Sequence, residues 1–302
     1  MTCTPQSTPN IINIRTRLPD TPASDESIKL NDLQQVVGRL LWITRTCRPE
    51  LFHTSVSFGS RILTWAKDCD TELKRTMGYL LASSGASLTF RWPKNYHTNK
   101  IACFASIFVD SDWNIPRSQS GYLTSLSCGD DDAPEGFLPL AFSSKKQPLA
   151  ADSSTSAEII SVHHGVKDSF PFFDSFVSFL DQRRFFEIKP MICVRIDNST
   201  ALKYLTTLPS QTFVPYSKAV GVRLHLLRDL VLLNVITASY VNTHLNRSDT
   251  MTKCFTSTEF PSKAILVGIT FTESCSVLKR CPEARIARGI YWRRANLALR
   301  GG

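Results

Sequence analysis

A chain of 302 residues that is 42% hydrophobic can bury one large core or two modest ones. Its net charge of +9 (pI about 9.2) favours a polyanionic partner, nucleic acid or an anionic surface. The longest apolar stretches, such as 230–238, are too short to span a bilayer, and no charged-then-apolar leader opens the chain. Nine scattered cysteines, odd in number and without a C-x-x-C, point to reduced thiols in the cytoplasm or nucleus. They argue against a disulfide scaffold or a zinc site.

Residues 1–28, rich in Thr, Pro, Ser and Asn, read as a disordered segment. A helical region is expected over 29–100. Val36, Val37, Leu40 and Leu41 recur at helix spacing, and so do Leu73, Met77, Leu80 and Leu81. Pro49 should interrupt the first helix, because the residue before a proline avoids helical dihedrals. Residues 31–100 hold ten Lys/Arg against five Asp/Glu, a pattern that fits a solvated surface or a nucleic-acid contact.

From Ile101 the period changes. Ile101–Val109, Gly121–Cys128 and Phe137–Phe142 alternate like strands of an antiparallel meander, with an acidic turn at Asp130–Asp132. A helix over Thr155–Asp168 and a strand over Met191–Ile196 follow. Helices at Ser199–Thr206 and Lys218–Leu233 and a strand at Val235–Val241 complete the pattern. The order predicts an α/β layer with a mixed five-stranded sheet over 101–255. Residues 256–302 read as a basic tail, with seven basic residues and one acid between Lys279 and Arg300.

Four acids spread over about 140 positions stand at element ends: Asp110, Glu158, Asp197 and Asp249. If the first and fourth strands are parallel neighbours, Asp110 and Asp197 lie side by side at their carboxyl ends. An all-oxygen cluster suits Mg²⁺, and two such ions can clamp both oxygens of a phosphodiester under attack. Each acid also has a purely structural role open to it. Thr155-Ser156-Ala157-Glu158 has the form of a capping box, and Asp197 or Asp249 could cap a following helix. His244, five residues before Asp249, is either a loop histidine or a proton carrier during product release. No glycine-rich phosphate loop occurs, so no small-molecule cofactor is expected.

The segment 37–255 resembles the C-terminal part of copia-type retrotransposon polyproteins, the end of the reverse transcriptase followed by ribonuclease H. The resemblance is carried by Val37-Gly38-Arg39-Leu40-Leu41, Arg48-Pro49-Glu50, Asp110-Ser111-Asp112-Trp113 and Ser118-Gln119-Ser120-Gly121-Tyr122. It continues through Lys145-Lys146-Gln147, Ser153 to Glu158, Asp197-Asn198-Ser199-Thr200-Ala201 and Tyr240-Val241-Asn242-Thr243, then Asp249 to Lys253. It implies a ribonuclease H-like sheet behind a reverse-transcriptase connection-like helical region. It also implies two Mg²⁺ (Mn²⁺ as substitute) on Asp110, Glu158, Asp197 and Asp249, and cutting of the RNA strand of an RNA·DNA hybrid. Lys145, Lys146, Arg223 and Arg228 would be the phosphate contacts.

The chain departs from the family pattern at two places. Ser156-Ala157-Glu158 replaces Glu-Ala-Glu, and Lys218-Ala219-Val220-Gly221 replaces Lys-His-Ile-Asp. The alternative is therefore a catalytically silent nucleic-acid-binding or scaffold remnant of such a polyprotein.

Overall fold

The computed structural model describes residues 6, 8–9, 30–93, 102–114, 116–129, 134–207 and 217–272. The rest of the N-terminal segment, the acidic turn at Asp130–Asp132 and the basic stretch 279–300 lie outside the described residues. The chain divides into two compact units, residues 90–252 and residues 1–89 together with 253–302.

In the unit that contains the N-terminus, helices α1 (Leu30–Thr46), α2 (Phe52–Arg61) and α3 (Lys67–Ala82) pack through Leu33, Val37, Leu40, Phe58 and Leu73. The break after α1 falls where the sequence predicts it. Arg48 has φ −130° and ψ 60°, outside the helical region, and Pro49 then opens a short 3₁₀ turn. Residues 256–272 are more ordered than their sequence pattern indicates. They supply a helix, Phe260–Leu266, and a short strand, Ile269–Thr270, that pairs antiparallel with Ser87–Leu88.

In the other unit, β1 (Cys103–Asp112), β2 (Gln119–Gly129) and β3 (Pro134–Lys146) form the meander. Helix α4 (Ser154–Gln182) leads to β4 (Ile192–Ile196), then α5 (Ser199–Thr206), α6 (Lys218–Leu232) and β5 (Thr237–Tyr240), and the short α7 (Asp249–Thr252) ends the unit. The sheet order is β3-β2-β1-β4-β5, with β1 antiparallel to β2 and parallel to β4, and β4 parallel to β5. This is the expected ribonuclease H-like architecture, a mixed five-stranded sheet flanked by helices. Ile107, Val109, Val194 and Ile196 project from one face into the core with Ile159, Val162 and Val166 of α4 and Leu224 of α6.

Helix α4 runs well past the expected Asp168 and through Pro171. Proline lacks an amide and usually ends a helix. Here Phe173 and Val177, both fully buried, anchor the following turns to the core and hold the helix together.

Candidate metal centre

Parallel pairing of β1 with β4 fixes the first two carboxylates. Phe108 is level with Arg195, so Asp110 and Asp197, each two residues further on, emerge side by side. Asp249 arrives from the first residue of α7. The three carboxylates bring oxygens within 4.8 Å of one another, with Asp110 and Asp249 buried and Asp197 half-buried. At that separation each pair of negative charges repels by roughly 3 kcal/mol for an effective dielectric constant of 20. A cluster so close is stabilised by a cation, and its all-oxygen donor set fits a hard divalent ion.

The alternative capping roles fall elsewhere. Helix α4 is capped by Ser153, whose Oγ accepts from the Ser156 amide at 3.1 Å, so the expected box from Thr155 to Glu158 is displaced toward the N-terminus. Glu158 is thereby released from capping. It is buried and accepts a hydrogen bond from Ser111 Oγ at 2.5 Å, one residue beyond Asp110, but stands outside the group of three. Helix α5 is capped by Asn198, whose side chain accepts from the Ala201 amide at 2.9 Å, leaving Asp197 out of the cap.

Asp249 is placed by a network that its own motif does not reveal. Buried Asn246 donates to the Val109 carbonyl at 3.0 Å and accepts from the Ser248 amide and hydroxyl, tying the segment to β1 one residue before Asp110. Gln119 and Ser144 both donate to the Met251 carbonyl, at 3.0 and 2.5 Å. Gly121 allows this approach, since a Cβ there would lie 2.5 Å from Met251 Cβ and 2.8 Å from Thr252 Cγ2. Thr252 in turn donates its hydroxyl to the Asp110 carboxylate. Gln147 donates to the Ala157 carbonyl and Ser120 Oγ, fastening the first turn of α4 to the sheet. The Ser118–Tyr122 and Lys145–Gln147 motifs therefore help to hold the carboxylates in register.

His244 is exposed in the turn Thr243–Leu245 that precedes Asn246, its amide bonded to Asn242 Oδ1 at 2.9 Å. Lys145 and Lys146 are exposed at the end of β3, and Lys145 is paired with Asp168 at 2.7 Å. Arg223 is half-buried and borders an open depression with His163, Lys218 and Val222. Arg228 does not present itself to a phosphate. It lies on the same face of α6 as Leu224, one turn on, is 5% exposed, and donates from Nε to the Tyr204 carbonyl at 2.6 Å. Reading Arg228 as lying off the apolar stripe is thus corrected, because a long side chain can bury its stem and satisfy its head on a neighbouring helix.

His164 packs edge-on to Tyr122 and places Nε2 3.0 Å from the Asp168 carboxylate, without the alignment of a hydrogen bond. Burial, aided by the nearby charge of Lys145, pushes its pKa down to about 4, so the ring is neutral at physiological pH. Among the described residues no helix is long and apolar enough to cross a membrane.

No protein-family model matches the chain. It is similar to the Retrovirus-related Pol polyprotein from transposon RE1 of Arabidopsis thaliana, 26% identical over 244 residues. That match covers 78% of this chain but only 15% of the length of the relative. Among solved structures, RNase H1 from the halophilic archaeon Halobacterium salinarum is 13% identical, covering 49% of this chain and 93% of that one (TM-score 0.31). An N-terminal RNase H domain from Mycobacterium tuberculosis is 14% identical, covering 50% and 91% (TM-score 0.32). LC11-RNase H1, solved in complex with an RNA/DNA hybrid, is 12% identical over 49% and 93% (TM-score 0.31). At these scores the likenesses add nothing to the strand order and pairing described above, which carry the fold.

Proposed function

We propose that residues 90–252 form a divalent-metal-dependent nuclease that cuts the RNA strand of RNA·DNA hybrids, the ribonuclease H portion of a copia-type retrotransposon polyprotein. The observation that carries this reading is the convergence of the Asp110, Asp197 and Asp249 carboxylates from three separate elements onto one point. Their similarity to motifs arranged in the same order in such polyproteins, and the match to a transposon Pol polyprotein, support the hybrid as substrate.

Asp110, Asp197 and Asp249 would hold the ions, and Glu158 stands at the edge of the site through Ser111. Bound there, Mg²⁺ or Mn²⁺ would supply an activated water and neutralise charge on the leaving 3′-oxygen. The two buried aspartates give the site its floor, and half-buried Asp197 gives it a side open to solvent and substrate. Thr252 and Ser111 orient the Asp110 and Glu158 carboxylates through their hydroxyls. His244, exposed five residues before Asp249, is placed to exchange a proton with solvent as product leaves. Selection of the hybrid would rest on 2′-hydroxyl contacts along the RNA strand, with Lys145, Lys146 and Arg223 as candidate phosphate contacts.

The test is cleavage of a labelled RNA·DNA hybrid in Mg²⁺ or Mn²⁺, beside Asp197→Asn and a duplex-DNA control. Hybrid-specific cutting that disappears in the variant is expected. Folded protein that binds the hybrid and leaves it whole in both metals would make the chain a silent remnant.

A further inference from the structure

The sheet face opposite α4 carries a second cluster of charge, separate from the carboxylates. Ile107, Val109, Val194 and Ile196 face the α4 core, so Phe108 and Arg195, alternating with them, face the other way. There Phe108, Arg195, Tyr240, Asn242, Leu245 and Arg247 border a partly enclosed cavity of about 230 Å³. Two of the residues around it are cations, and none is a carboxylate.

Both guanidiniums are held in place. Arg247 is 5% exposed, and its head lies 4.3 Å from the Phe137 ring centre and 5.4 Å from that of Phe108. Arg195 donates from Nη1 to Ser239 Oγ at 2.8 Å, a neutral partner that orients the head without cancelling its charge. Asn242 uses its side-chain oxygen to accept the His244 amide, which leaves its NH₂ as the end with hydrogens to give. Donors of this kind around one cavity suit an anion with several acceptor oxygens, and planar guanidiniums match phosphate best. The volume is below the roughly 300–1,000 Å³ of sites for drug-sized ligands. It suits a phosphate group with its water better than a nucleobase.

We propose that this cavity binds a phosphate group. Phe108 and Arg195 each lie two residues behind Asp110 and Asp197 on paired strands, about 7 Å along the sheet. Given the nuclease reading, on which this identification of the source rests, the occupant is a backbone phosphate of the substrate, away from the bond to be cut. Two guanidiniums there would fix the strand's register relative to the carboxylates without contacting the reacting atoms.

The experiment reads binding, not cleavage, so it stands apart from the nuclease test. Anisotropy of a labelled RNA·DNA hybrid is titrated against salt without divalent metal, for the intact chain, Arg195→Gln, Arg195→Lys and Asp110→Asn. Calorimetry with inorganic phosphate runs in parallel. Arg195→Gln should weaken hybrid binding about tenfold and flatten the salt dependence by about one phosphate. Arg195→Lys should keep the salt slope, and Asp110→Asn should keep both quantities. If inorganic phosphate binding is lost in Arg195→Gln while hybrid binding is unchanged, the cavity serves a free phosphate and not the backbone. Should Arg195→Gln fail to fold, Asn242→Asp, which sets a negative charge at the exposed rim, replaces it with the same losses expected. A folded variant that matches the intact chain for both hybrid and inorganic phosphate overturns the proposal.

Discussion

The hydroxyl of Thr252, in the last residue of α7, donates to the carboxylate of Asp110 near the end of β1. One hydrogen bond thus joins two elements that each deliver an acid to the cluster, and it fixes which Asp110 oxygen stays available. Thr252→Val keeps the shape and removes the donor. Groups that orient metal ligands typically contribute 10–100-fold in affinity, so Mn²⁺ binding by calorimetry should weaken by about tenfold or more. Stability should fall by only about 1 kcal/mol. Thr252→Ser, which retains the hydroxyl, should recover the affinity. Equal Mn²⁺ affinity in intact protein and folded Thr252→Val would reduce the bond to packing.

Gly121 tests the same junction from the β2 side. An added Cβ would meet Met251 Cβ at 2.5 Å and Thr252 Cγ2 at 2.8 Å, closer than packed carbons tolerate. Gly121→Ala should therefore push α7 off the sheet and carry Asp249 with it. Overpacking of this kind costs about 1–3 kcal/mol, measurable by urea denaturation. The loss of metal binding should be larger than that destabilisation explains, because the ligand itself is displaced. A variant that is destabilised yet binds Mn²⁺ normally would place the strain elsewhere.

The sheet and the convergence of Asp110 with Asp197 were legible because both depend on period and strand order. Alternation marked β1 and β4, and parallel pairing then brought their last residues together. Positions set by side-chain chemistry across the fold were not legible. Ser153 and Thr155 both precede the apolar run of α4, and local pattern could not decide which of them caps it. Arg228 sits one turn beyond buried Leu224, but only the Tyr204 carbonyl on α5 explains why a cation is stable there. Asn246 and Thr252 left one usable signal: polar residues packed around Asp249 in a segment too short for a core helix. Pro171 gave a misleading stop, since the burial of Phe173 and Val177 outweighs one missing amide.

His164 should make the fold acid-sensitive in a defined window. Its pKa is about 4 in the folded chain, against an ordinary 6.5, chiefly because burial disfavours the charged ring. The unfolded chain therefore binds a proton that the folded chain refuses between those values. The contribution is fully present above pH 6.5 and is lost as pH falls toward 4, up to about 3 kcal/mol. The neighbouring charges, Lys145, Asp168 and His163, set the residual shift. In urea denaturation from pH 7 to 4, His164→Phe, which can keep the packing on Tyr122, should show a shallower loss than the intact chain. Parallel curves for the two proteins would exclude His164 as the source.

In the unit that contains the N-terminus, Arg48 and Glu50 form a buried ion pair at 2.6 Å, with side chains 8% and 0% exposed. Arg48 also donates to Ser83 Oγ at 2.6 Å, and Tyr79 donates to Glu50 at 3.2 Å. Burial raises the Glu50 pKa, and the Arg48 charge opposes that rise. Arg48→Met would leave a carboxylate in the core with its main cation gone, a loss of about 3–5 kcal/mol. Replacing both partners, Arg48→Met with Glu50→Leu, should return most of that stability, because neither charge then has to be desolvated. The carboxyl in the single variant is cheaper to bury once protonated. Lowering the pH from 7 to 5 should therefore narrow the gap between Arg48→Met and the double variant in urea midpoints. A gap that stays constant, or a double variant no better than the single one, would mean that the pair is held by packing around Tyr79 and not by charge.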